Sequence, residues 1–282
     1  MTEVRVLLAD AARRLAAAGV ASPDNDAEIL LAHVLGIRRG DLVIAPDAGA
    51  AQVAIFAGLL AQRAQRVPLQ HLTGTAGFRY VDIAVGPGVF TPRPETELLA
   101  GWAIEQGAAV TDRVAVVVDL CTGSGAIALS VADELPEAQV HAVELDPDAF
   151  AWAQRNLAGS GVDLREGDMG DALRELDGRV DVVVCNPPYI PLTEYAGVAP
   201  EARDHDPALA LWSGADGLDA IRVLERVAAR LLRPGGQVGS EHADLQGDSA
   251  PGVFAAAGRW VDVRDHRDLA GRPRYLTARL AR

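Results

Sequence analysis

The stretch Val114 to Leu120 is a valine-dominated apolar run, and Gln139 to Leu145 and Asp181 to Cys185 are two more of the same buried type. Such runs fit strands covered on both faces, as in a parallel sheet, better than strands with one face in water. Helical stretches separate them. Strand, helix, strand, helix in this order predicts an α/β fold with a doubly wound, mostly parallel sheet. In that architecture a ligand lies beyond the carboxyl ends of the strands, so the chemistry is expected where these runs stop.

The chain before this region reads differently. Val4, Leu7, Leu8, Ala11, Leu15 and Ala18 recur at helical spacing. Ser22 and Pro23 form a helix start, cap then first-turn proline, and Ala27, Leu30, Leu31 and Val34 continue as a buried stripe to Gly36. A third helical run spans about Ala48 to Gln65, so residues 1–74 are expected to form a small all-helical domain. Its seven arginines balance its seven acidic residues, which leaves the whole acidic excess to the remainder and suggests that the helical part faces a different partner. Alternation at Phe78, Tyr80, Ile83 and Val85, with Gly86-Pro87-Gly88 behind it, predicts a hairpin connector over 75–98. The large domain is expected over 99–282.

A formal net charge of -13 argues against wrapping nucleic acid through a broad basic surface, because phosphate neutralisation dominates such binding. No direct nucleic-acid binding is expected. Two cysteines, Cys121 and Cys185, cannot make a disulfide framework, and Asp10, Arg13 and Arg14 interrupt the apolar start where a secretory signal would need continuity. A reduced, cytoplasmic setting fits these features. The apolar stretch from Ala48 to Ala61 is too short to cross a bilayer, so no membrane span is expected.

After the first strand comes Asp119-Leu120-Cys121-Thr122-Gly123-Ser124-Gly125-Ala126, a small-residue turn leading into a helix. Small side chains let a ligand approach the backbone, and the helix amino end presents free amides. A purely structural turn can have the same composition. Glu144, at the end of the second strand, stands near the spacing of about 20 residues at which an acid holds ribose hydroxyls. This half is shared by nicotinamide enzymes and S-adenosylmethionine enzymes and leaves the cofactor open. Asp168 and Met169 follow the short apolar stretch Val162 to Leu164, where Asp168 is able to accept from an adenine amine and Met169 to lie against its ring; ordinary loop residues look the same.

Asn186-Pro187-Pro188-Tyr189 ends the strand Asp181 to Cys185. Asn186 offers a side-chain carbonyl, and Pro187 offers a backbone carbonyl with no amide donor of its own, so together they can accept both hydrogens of an NH2 group. Tyr189 can cover the face of a planar acceptor and aim its nitrogen at a methyl donor. The bland alternative is a proline-rich strand terminator. The six histidines, His33, His71, His141, His205, His242 and His266, show no ligand spacing, and no metal is expected.

The two halves together resemble class I methyltransferases with this tetrapeptide, and specifically the release-factor glutamine methyltransferases. The resemblance covers nearly the whole chain. It includes Pro68-Leu69-Gln70-His71-Leu72-Thr73-Gly74, Thr91-Pro92-Arg93-Pro94-Glu95-Thr96-Glu97, Asp216-Gly217-Leu218-Asp219 and Asp268-Leu269-Ala270-Gly271-Arg272. It implies a Rossmann-like domain that binds S-adenosyl-L-methionine, releases S-adenosyl-L-homocysteine, and methylates the glutamine of the Gly-Gly-Gln loop of peptide-chain release factors, with the helical domain recognising that protein. Cys121, Thr122, Gly123, Ser124, Gly125, Glu144, Met169 and Asn186 would then contact the cofactor, and Asn186 to Tyr189 the substrate glutamine. Cys121 stands where the family's loop opens with glycine, and Met169 where many members carry an aromatic. Arg93-Pro94-Glu95 is expected to line the cofactor or substrate channel. Two alternatives stay open: methylation of an exocyclic base amine of DNA or RNA, and an inactive cofactor-binding module that binds a translation partner.

Overall fold

A computed structural model describes residues 2–282 and divides them into two compact units. One holds residues up to Thr75 together with Ala199–His205; the other holds Ala76–Val198 and Asp206–Arg282.

The first unit is helical. Helices α1 (Val4–Ala17), α2 (Pro23–Leu35), α3 (Ala50–Ala64) and α4 (Leu69–Thr73) follow in order, and the returning segment adds α8 (Pro200–His205). Ala11 and Leu15 of α1 and Leu30 and Leu31 of α2, from the stripes that helical spacing marks, pack into one core with Phe56 and Leu60 of α3. Gly36 ends α2 in the left-handed region at φ 67°, which costs glycine little. Ser22 precedes Pro23 as read, but its hydroxyl makes no cap hydrogen bond. Arg63 is buried and donates to Asp26 at 2.7 Å and to Glu201 at 2.9 Å, while Arg66 grips both oxygens of the same Glu201.

The second unit opens with the hairpin β1 (Thr75–Phe78) and β2 (Val81–Ala84). Phe78, Ile83 and Val85 are buried as the alternation predicted. Tyr80 is not; it lies in the turn and is exposed, because Arg79 takes a left-handed conformation there and breaks the alternation. After α5 (Thr96–Ala108) come β3 (Val116–Leu120), α6 (Ala126–Glu134), β4 (Gln139–Glu144), α7 (Pro147–Asn156), β5 (Asp163–Glu166) and β6 (Val180–Cys185). Then follow α9 (Ala208–Leu211), α10 (Asp219–Leu231), β7 (Leu232–Glu241), α11 (Ser249–Ala256), β8 (Trp260–Arg267) and β9 (Pro273–Leu280).

Seven strands form one sheet in the order β5-β4-β3-β6-β7-β9-β8. Strands β3 to β7 pair in parallel, and β9 runs antiparallel to both its neighbours. Successive residues of β3 feed opposite cores: Val116, Val118 and Leu120 face one, Val117 the other. That two-sided burial is why the run is continuous rather than alternating. The strand order reverses at β3, with β4 on one side and β6 on the other, so a crevice opens beyond their carboxyl ends.

Candidate functional site

Sheet register brings the predicted groups together. Leu120 pairs with Val143 of β4 and with Cys185 of β6, so the loop that begins at Cys121, the acid Glu144 and the Asn186 motif all leave neighbouring strand ends. The loop, the acid and the motif therefore leave the same end of the sheet.

The loop Cys121 to Gly125 turns through three left-handed residues, Cys121 at φ 55°, Gly123 at 58° and Gly125 at 85°. Gly125 needs its lack of a side chain, since a Cβ there would sit 3.0 Å from the Leu157 side chain; in front of Gly123 there is open space. Three groups hold the loop. Asp119 accepts from the Thr122 hydroxyl at 2.5 Å and the Ala128 amide at 3.2 Å. Asn156 of α7 donates to the Ser124 carbonyl at 2.8 Å and also pairs with both backbone groups of Ala84 in β2, which ties the hairpin to the loop. Thr122 donates its amide to the Val143 carbonyl at 3.0 Å.

Glu144 is nearly buried and works as an acceptor for backbone. Its Oε2 takes the Gly123 amide at 2.7 Å, and its Oε1 takes the amides of Leu145 and Asp146, each at 2.9 Å. An ionised carboxylate offers about four lone-pair sites. By that count one site remains on Oε2, where the sequence reading had offered two oxygens to two hydroxyls. Burial pushes the Glu144 carboxyl above its ordinary value while the three amides draw it back. Burial likewise lifts Asp119 to about 7, and its Oδ1 is a buried acceptor with no hydrogen-bond partner.

Asp168 is exposed and caps its own turn through the Gly170 amide at 2.7 Å. Met169 is half-buried, and its sulfur lies 3.8 Å from Cys121 Sγ. Cys185 is buried and its thiol is held well above its usual range by desolvation.

Pro187 is buried, and Asn186, Pro188 and Tyr189 are half-buried. The Asn186 Nδ2 stands 3.4 Å from Thr96 Oγ1 at the start of α5; Thr96 donates to Glu241 Oε2 at 2.6 Å; and the Tyr189 hydroxyl donates to Glu241 Oε1 at 3.0 Å. Burial pushes the Tyr189 phenol well above its usual range, and the neighbouring Glu241 charge pushes the same way. The backbone after the motif is fixed as well. Gln246 donates to the Tyr189 carbonyl at 3.0 Å and to the Asp216 carbonyl at 3.2 Å, and Ile190 pairs with Leu211 and Ser213. Close by, Arg93 donates to buried Asp206 at 2.9 Å, and burial raises that acid to about 6 against the pull of Arg93.

Sequence reading had no role for Thr96, Asn156, Asp206, Glu241 or Gln246. Glu241 had one legible signal, an acid closing a strand on the crevice side, but the strand itself was not recognised.

Residues 6–74 match the family model described as the PrmC N-terminal domain, and residues 106–196 match the methyltransferase small domain. A release factor glutamine methyltransferase of Streptomyces coelicolor is 58% identical over 274 residues, 97% of each chain. The release factor glutamine methyltransferase of Mycolicibacterium smegmatis is 50% identical over 285 residues and covers both chains fully. Among solved structures, the hMettl16 catalytic domain, crystallised in complex with the MAT2A 3'UTR hairpin 6, aligns with a TM-score of 0.57 over 79% of this chain and 81% of its own at 14% identity, which is a likeness of fold.

Proposed function

The chain belongs to the release factor glutamine methyltransferase family, and from that premise we propose that it transfers a methyl group from S-adenosyl-L-methionine to the side-chain amide nitrogen of the glutamine in the Gly-Gly-Gln loop of peptide-chain release factors. S-adenosyl-L-homocysteine is the product. The observation that supports this reading most is the register pairing Leu120 with Cys185, because it sets a donor loop and an NH2-gripping motif side by side.

The residues fit the donor. Open space before Gly123 and the remaining lone pair of Glu144 Oε2 suit a ligand rich in hydroxyl donors. Cys121 to Gly125, Glu144, Asp168, Met169 and Asn186 are the residues assigned to hold it, and Cys121 and Met169 offer soft sulfur surface to its apolar parts. When bound, it supplies an electrophilic methyl group on a sulfonium.

On the acceptor side, Asn186 Oδ1 and the Pro187 carbonyl accept the two hydrogens of the glutamine NH2. Accepting both raises electron density on the nitrogen and fixes the NH2 plane so that the nitrogen faces the methyl group; as the N–C bond forms and the S–C bond breaks, one N–H proton is released, leaving N-methylglutamine and S-adenosyl-L-homocysteine. Tyr189 covers the flat face. Its phenol remains protonated, so its part is to orient rather than to act as a base.

The helical unit is assigned recognition of the release factor, which implies a cytoplasmic setting; no helix in the described residues is long and apolar enough to cross a membrane. Mass spectrometry of a release factor incubated with the enzyme and donor should show one added methyl group on the Gly-Gly-Gln glutamine. Methyl transfer to DNA or RNA, with the release factor unchanged, would refute the proposal.

A further inference from the structure

Thr96 Oγ1 stands between two partners, and it has one proton to give. Its 2.6 Å bond to Glu241 Oε2 uses that proton, because an ionised carboxylate only accepts. Toward Asn186 the hydroxyl can then only accept. The group it faces there, at 3.4 Å, must be the donor end of the amide, Nδ2. With Glu241 ionised, as the Thr96 and Tyr189 hydroxyls favour against the upward push of burial, this follows from counting protons and not from how the two ends of the amide were assigned. Oδ1 is the end turned away from Thr96.

We propose that Glu241 and Thr96 are positioning residues that set which way the Asn186 amide faces, and that Glu241 through its other oxygen sets the Tyr189 ring. The proposal rests on the reading of Asn186 to Tyr189 as the acceptor grip and deepens it. If the Asn186 amide were reversed, Nδ2 would meet the NH2 hydrogens of the substrate, donor against donor, and the grip would be lost. One buried carboxylate therefore orders both halves of the grip. Its Oε2 acts through Thr96 on the acceptor atom of Asn186; its Oε1 holds the Tyr189 hydroxyl at 3.0 Å. Glu241 is 1% exposed and Thr96 4%, so water does not compete for these bonds. The geometry also gives a role to the segment that follows Arg93-Pro94-Glu95. Helix α5 begins at Thr96, so the segment delivers its hydroxyl to the motif.

The test compares Thr96→Ser, Thr96→Val and Glu241→Gln in the full-length enzyme, using a purified release factor and S-adenosyl-L-methionine. Thr96→Val keeps the shape and removes the relay, and kcat should fall roughly tenfold to a hundredfold, the scale of a misplaced reacting group. The donor Kd should change much less than kcat, since the relay reaches the donor only through Asn186, one of several residues assigned to hold it, and does not enter the donor loop. Thr96→Ser restores the hydroxyl and should recover most of kcat. Glu241→Gln places an NH2 donor against one of the two hydroxyls and should lower kcat with a smaller change in KM. If Thr96→Val unfolds, seen as a collapsed thermal midpoint, Thr96→Ala against Thr96→Ser gives the same comparison. Wild-type kcat in Thr96→Val or Thr96→Ala, or a serine variant no better than either, overturns the proposal. Absence of wild-type turnover on the release factor would instead sink the functional reading itself.

Discussion

The Gly123 amide donates to Glu144 Oε2 at 2.7 Å, so the residue expected to hold the donor's ribose also holds the loop beneath it. Glu144→Gln keeps the shape but puts an NH2 group where one oxygen accepts amides, leaving at least one pair of donors facing each other. Losing a charged hydrogen bond costs about 1.5–3 kcal/mol. Donor affinity, read by calorimetry, should weaken roughly tenfold to a hundredfold. Unchanged affinity would remove Glu144 from the donor site.

What the sequence disclosed depended on how each element buries its residues. Strands β3, β4 and β6 lie inside the sheet, and their valine-rich, largely buried stretches were legible within two residues at each end. Strand β7 was not, although it is just as central. Its Arg233-Pro234-Gly235-Gly236 opening and Gly239 replace the expected valines. Packing explains Gly239: a Cβ there would meet the Trp102 ring of α5 at 2.3 Å. Strands β8 and β9 form the antiparallel edge, and β8 alternates charged residues that read as loop. Because β7 was missed, so was Glu241 at its end. The donor and acceptor motifs were legible because their chemistry is local, whereas Thr96 and Glu241 are 145 positions apart and meet only in the fold.

Gly217 explains why the Asp216-Gly217 pair belongs to the site. At φ 76° it leaves no room for a side chain, since a Cβ would lie 2.3 Å from the Tyr189 carbonyl oxygen and 2.6 Å from Gln246 Nε2. Gly217→Ala should force the backbone after the acceptor motif to move, costing about 1–3 kcal/mol of stability from the strained conformation alone. Turnover should fall with it. Thermal unfolding and steady-state kinetics on one preparation check both, and a variant with wild-type kcat would show that this backbone tolerates displacement.

Cys121 occupies a left-handed position at φ 55°, where a Cβ is disfavoured, and half-buries a sulfur against Met169. The two effects separate by substitution. Cys121→Ala keeps the strain and loses the sulfur contact; Cys121→Gly loses both. The glycine variant should therefore be more stable than the alanine variant by about 1–2 kcal/mol, the cost of the left-handed conformation for a residue with a Cβ. Equilibrium urea unfolding of the pair measures this, and the reverse order would mean that the loop relaxes out of the left-handed region.

Glu201 carries a pH signature into the helical unit. Burial alone would raise its carboxyl, but the hydrogen bonds from Arg66 and Arg63 outweigh that and hold it at about 2, against 4.5 for an unperturbed glutamate. A folded-state value below the unfolded one means that the unfolded chain takes up the proton first as pH falls. The contribution is thus fully present above about 4.5 and is lost progressively as pH drops toward about 2. Glu201→Gln removes the titration and leaves Arg63 and Arg66 without their shared carboxylate. Wild type should exceed the variant in thermal midpoint at pH 7, with the gap shrinking steadily below pH 4.5. A gap independent of pH would show that the shape of the side chain, and not its charge, holds Ala199–His205 among the helices.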